Sequence, residues 1–143
     1  MTLPAMRKLW ALALVAGLAG CSHTDEAARP GADALYIARD VVGEGVFSAG
    51  IEGPAFGHDG ALYAVSFGQD GTIGRVTFDA SGAADAALFL TLPEGSTGNG
   101  IRFDRRGAMY VADYSGHNIL RIDLQDRKIG RFAHQPAMHQ PND

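Results

Sequence analysis

The chain has 143 residues, 12 Lys and Arg against 16 Asp and Glu, and a formal net charge of −4. No basic run interrupts it, which argues against nucleic acid as a partner, because phosphate binding needs clustered cations. Cys21 is the only cysteine, so no internal disulfide can form.

The first element is a targeting segment. Arg7 and Lys8 precede an apolar run from Leu9 to Ala19, and Cys21 follows directly after Gly20. The run is shorter than the ~20 residues a membrane-spanning helix needs. A basic flank, a short apolar core and small residues before a cleavage point are the marks of a secretory signal. Leu18-Ala19-Gly20-Cys21 resembles a bacterial lipobox, which implies cleavage after residue 20 and lipidation of Cys21. Ser22 after the cysteine implies the periplasmic side of the outer membrane rather than the inner one. Cleavage removes Arg7, Lys8 and no acid, taking the charge from −4 to about −6. Membrane contact is therefore expected through the lipid and not through charge. Residues 21–33 are small, polar and carry Pro30-Gly31, as a tether would. The domain proper is expected over 34–143.

Beyond the tether the chain reads as short strands. Ala61–Ser66, Ile73–Phe78, Ala86–Leu90, Met109–Asp113 and Ile119–Asp123 are apolar or alternating. Turn signals separate them: Asp59-Gly60, Asp70-Gly71, Ser81-Gly82, Pro93-Glu94-Gly95 and Ser115-Gly116. With 19 glycines and no long 3.6-residue period after the signal, the pattern predicts an all-β domain. Only the alanines of Asp79–Leu90 argue for a helix.

A phrase occurs twice. "IEGPAFGHDGALY" at 51–63 aligns without a gap on "GNGIRFDRRGAMY" at 98–110, forty-seven residues later. Gly53/Gly100, Phe56/Phe103, Gly60/Gly107, Ala61/Ala108 and Tyr63/Tyr110 are shared. A repeat of this length holding about four short strands matches one blade of a β-propeller, whose units run ~40–50 residues. The first unit spans 51–92, the second 98–133, and a third opens near Asn142. Residues 34–47 are expected to supply an outer strand. A propeller closes with ~4–8 blades, so two units leave three arrangements open: part of a longer ring, a two-unit protomer that assembles into one, or another compact β fold.

The phrases "EGPAFGHDGALYAV", "GNGIRFDRRGAMYVADYSGHNILRID" and "HQPND" resemble the senescence-marker-protein, gluconolactonase and luciferin-regenerating-enzyme family, called SMP-30-like, over roughly 51–143. The resemblance implies a six-bladed propeller, of which this sequence would hold the N-terminal two blades and the start of a third. It implies a divalent ion in the central channel and a hydrolase of lactones or related esters, anchored in the cell envelope. Glu52 falls at the family's metal-binding glutamate and Asn142 at its channel asparagine, which holds substrate, the metal's water or the metal itself. Asn99 takes the matching position of the intermediate blade and should face the channel. The aspartate proposed as general base lies beyond residue 143, so catalysis by these residues alone is not expected.

Ring symmetry explains the chemistry. The residue that opens each phrase points at one axis, so a spaced pattern becomes a convergent set of oxygens. Carboxylate and amide oxygens suit Ca²⁺ first, with Zn²⁺, Mn²⁺ or Mg²⁺ as alternatives. His139 precedes the third phrase and is a candidate for the channel entrance. No two of the five histidines have metal-ligand spacing, and no G-x-S-x-G elbow occurs. The competing reading is a non-catalytic NHL-repeat-like propeller, a binding or scaffold lipoprotein.

Overall fold

A computed structural model describes residues 37–142. The signal, Cys21 and the tether expected before residue 34 lie outside the described residues. Two four-stranded antiparallel sheets account for all the regular structure among these residues, and no helix occurs. None therefore is long and apolar enough to cross a membrane.

The first sheet holds β1 (Ala55–Phe56), β2 (Leu62–Val65), β3 (Thr72–Phe78) and β4 (Ala84–Thr91), in that order. The second repeats the plan with β5 (Gly98–Phe103), β6 (Met109–Asp113), β7 (Asn118–Ile122) and β8 (Ile129–His134). The sequence locates β2, β3, β6 and β7 to within a residue. Asp79–Leu90 is not helical: β4 runs as strand through its alanines, because Asp79 closes the preceding turn instead of capping a helix. Its carboxylate accepts from Ser81 N–H, Ser81 Oγ–H and Ala83 N–H.

Residues 37–47 correct another expectation. They form no strand; their only ladder contact is an isolated bridge between Phe47 and Phe67. Glycines at 43 and 45, the latter at φ +81°, break the extended run. Phe47 and Phe67 instead stack edge-to-face at 5.4 Å over Gly74, where a Cβ would meet both rings at 2.7 Å.

The core lies between the sheets. Alternation sends Tyr63, Val65 and Ile73 of the first sheet to one face, and Ile101, Met109, Val111, Leu120 and Ile122 of the second against them, in one continuous buried cluster. Tyr63 is the hub. Its ring meets Phe89 at 5.1 Å and Phe103 of the other sheet at 5.5 Å, and such pairs add about 0.5–1.5 kcal/mol each beyond area burial. Arg127 of the second sheet's last turn fastens the edge, donating to the Phe89 carbonyl at 3.0 Å and lying 5.0 Å over its ring.

The repeat is physical as well as textual. Tyr63 pairs with Arg75 across the ladder, and Tyr110 with Arg121. Tyr63 stacks edge-to-face on Phe89, and Tyr110 on Phe132, both at 5.1 Å. Each tyrosine hydroxyl donates to an aspartate in the preceding turn: Asp59 at 3.0 Å and Asp104 at 3.3 Å. Tyr63 is buried in the core, whereas Tyr110 is half-buried.

Candidate functional site

The two sheets open with the same irregularity. In the second, Ile101 pairs with Val111 and Gly98 with Asp113, so three steps on β5 span two on β6. This bulge takes Asn99 and Gly100 out of the ladder. In the first sheet Ala55 pairs with Tyr63, and the next bond runs from Val65 N–H to the Glu52 carbonyl at 3.3 Å. Again three residues span two. Gly53, at φ +55°, makes the step, a left-handed conformation that costs glycine almost nothing.

Freed from β6, the Gly100 N–H donates to the Asn142 carbonyl at 2.8 Å. Gly53 backs onto the same segment from the other side. A Cβ there would fall on the Asn99 carbonyl oxygen, with Gly100 Cα at 2.7 Å and Ile101 N at 2.9 Å. The backbone thus gathers Glu52, Asn99 and Asn142 at one end of the sheet pair. Their side chains differ in setting. Glu52 and Asn142 are exposed, whereas Asn99 is half-buried and its Oδ1 is buried with no hydrogen-bond donor among the described residues. A buried amide oxygen without a donor is costly, and an oxygen-seeking cation would satisfy it. One carboxylate and two amides fit a hard cation in donor type, as part of a shell of six or more oxygens. Among the described residues no three His, Cys, Asp or Glu side chains cluster as a metal group would.

Asn142 is carried there by a clipped turn. His117 Nδ1 donates to the Met138 carbonyl at 2.7 Å, so that nitrogen carries the hydrogen. The Gln135 N–H returns a bond to the His117 carbonyl, and Met138 N–H closes on Gln135. His139 is exposed just beyond this clip.

Asp113, the last residue of β6, fastens the turn that follows and holds more than that turn. Fully buried, it accepts from Gly116 N–H, Thr97 N–H, Ser96 Oγ–H and Asn118 Nδ2–H at 2.7–3.2 Å. It thereby pins the loop that enters β5 and fixes where Asn99 begins. Asn118 Oδ1 in turn accepts from His134 Nδ1–H at 2.8 Å. The sequence signal for this network is Ser-Gly two residues after a strand-end aspartate, with asparagine two further on; the contribution of Ser96-Thr97 carries no local signal.

Charge near the two tyrosines follows the same repeat. Burial alone would raise the Asp59 carboxyl, but bonds from Arg75, Ala61 N–H and Tyr63 hold it below the ordinary carboxylate value. Asp104 behaves alike: burial opposes, while Arg106 and Ala108 N–H, Tyr110 and the nearby Arg121 prevail and lower it. Burial and the Asp59 bond push the Tyr63 phenol up.

No family model matches the chain, and no curated protein matches it.

Proposed function

We propose that the two sheets are consecutive blades of an SMP-30-like propeller, and that Glu52, Asn99 and Asn142 form part of a divalent-cation site, Ca²⁺ foremost, at the mouth of its channel. The observation that carries this reading is the convergence of the three phrase-opening residues through the Gly53–Asn99 and Gly100–Asn142 backbone contacts. Matching strand order and the repeated Tyr–Phe–Asp–Arg arrangement support the blade assignment.

The activity to which such a site belongs is hydrolysis of lactones or related esters. A bound ion would polarise the carbonyl and acidify a water. These residues would contribute by position. Glu52 brings the negative charge, Asn99 a pre-set neutral oxygen in the bulge, and Asn142 an exposed amide for ion or substrate. The role proposed for these three residues is binding; none of them is assigned as the general base that would take a proton from the attacking water. Cys21 lipidation would place it at the periplasmic side of the outer membrane.

Calorimetric titration of the chain with Ca²⁺ tests the reading. The incomplete shell predicts binding weaker than about 10⁻⁴ M, abolished by Glu52→Gln and weakened by Asn99→Ala. Micromolar binding lost on Glu52→Gln would reject the incomplete shell, and binding indifferent to both substitutions would reject the site.

A further inference from the structure

Asn99 is the one asparagine of the sequence that precedes a glycine. Its amide carbon can close a five-membered ring with the Gly100 nitrogen, and Gly100 has no side chain to shield that nitrogen. The bulge has already taken both residues out of the β5–β6 ladder. Asn99 Oδ1 is buried with no donor among the described residues, so no hydrogen bond there fixes the amide. Asn118 is the contrast within the same sheet. Its Nδ2–H donates to Asp113, its Oδ1 accepts from His134, and its successor is the β-branched Ile119.

Two contacts hold Gly100: the close approach of Gly53 to its Cα, and the Asn142 carbonyl that takes its N–H at 2.8 Å. The first belongs to the sheets. The second belongs to residues 135–142, which form no strand and lie exposed except for the half-buried Met138 and Pro141. His117 ties this segment to the second sheet through its ring and its carbonyl. Strain sits at both ends of the clip. His117 has φ +55° and Gln140 φ +49°, left-handed conformations that disfavour any residue but glycine. An exposed, strained segment held by few contacts opens locally while the sheets stay folded.

We propose that Asn99 is a site of self-modification by deamidation, and that the 135–142 clip is its gate. With the clip closed, the Asn142 carbonyl keeps the Gly100 N–H occupied. With the clip open, the Gly100 nitrogen gives up its proton to water and attacks Asn99 Cγ. A carbon–nitrogen bond forms, the side-chain amide bond breaks, and the side-chain nitrogen leaves as ammonia with the proton. Water then opens the cyclic imide at either carbonyl, leaving aspartate or isoaspartate at position 99. Either product puts a carboxylate where the candidate cation site holds an amide. A second carboxylate favours a hard cation, a consequence that rests on the proposed function. The modification itself does not rest on it. A chain that fails to bind Ca²⁺ leaves it standing, and an Asn99 that stays an amide leaves the cation reading untouched.

The test incubates the full chain at neutral pH, in buffer and in urea, and follows it by peptide mass mapping. Asn99 should show the mass gain of an amide turned acid, and Asn118 should not. Urea removes the gate, so Asn99 should react faster there than in buffer. His117→Ala deletes the ring's bond to Met138, and losing one hydrogen bond should speed the reaction in buffer about 2–10-fold. Gln140→Gly relieves the left-handed strain and should slow it about 2–5-fold. Neither substitution should change the rate in urea. An Asn99 amide that survives in buffer in all three chains while urea consumes it overturns the site. Equal rates in buffer overturn the gate. So do rates that follow each variant's urea midpoint, because the reaction would then run through global unfolding.

Discussion

Gly53→Ala separates the backbone geometry of the candidate site from its chemistry. The added methyl is wrong for two reasons. Residue 53 sits at φ +55°, which costs an L-residue about 1–2 kcal/mol. The methyl would also press on the Asn99 carbonyl, Gly100 Cα at 2.7 Å and Ile101 N at 2.9 Å, all inside the 3.0 Å limit that real Cβ contacts respect. These are backbone atoms of a bulged strand, so no rotamer relieves them. Overpacking adds about 1–3 kcal/mol, giving about 2–5 kcal/mol in all. A small domain has about 5–15 kcal/mol to lose. Gly82→Ala is the internal control: φ is +83° and nothing lies within 4 Å of the added Cβ. It should show the dihedral cost alone, about 1–2 kcal/mol. Urea unfolding of both variants beside the parent measures the difference. Equal destabilisation would mean that Glu52 and Asn99 are not held together by backbone contact, and the convergence argument would fall with it.

Further outcomes follow from the same coordinates. Asp113→Asn should destabilise by about 2–3 kcal/mol in urea, because its amide nitrogen must face donors on whichever side it turns; a neutral effect would remove Asp113 as the anchor of the β5 entry. Asp59 and Asp104 both titrate below their ordinary value when folded. Their contribution is therefore complete above the unfolded-chain value of 3.8 and is lost as pH falls through the lower folded values. Thermal melting from neutral pH into this acid window should show Tm falling most steeply below it. The double substitution Asp59→Asn, Asp104→Asn should flatten that slope, and an unchanged slope would assign the acid sensitivity to other carboxylates.

Four strands were legible because alternation and Asp-Gly or Ser-Gly turns are local. β4 was placed but shortened, since alanine carries little strand signal. β1, β5 and β8 were not assigned as strands, and each miss has a cause. β1 is two residues long, "GNGIRF" hides a strand under two glycines, and β8 is an edge whose exposed residues blur alternation. The aspartate beneath each tyrosine was also illegible. Asp59 lies four residues before Tyr63 and Asp104 six before Tyr110, so the aligned phrases place glycine opposite the second. A hydroxyl needs an acceptor within reach, not at a fixed spacing.

The sequence by itself determined the all-β pattern, the doubled phrase and the identity of Glu52, Asn99 and Asn142 as its opening residues, because strand alternation and turn chemistry depend on near neighbours. Only the tertiary structure decided that the backbone segments carrying these three lie side by side. That arrangement of the backbone depends on two bulges, on a left-handed glycine backed against another strand, and on a histidine clip that returns residues 138–142 to Gly100. Each is a contact between segments far apart in the chain, and distant contacts leave no period in a sequence to be read.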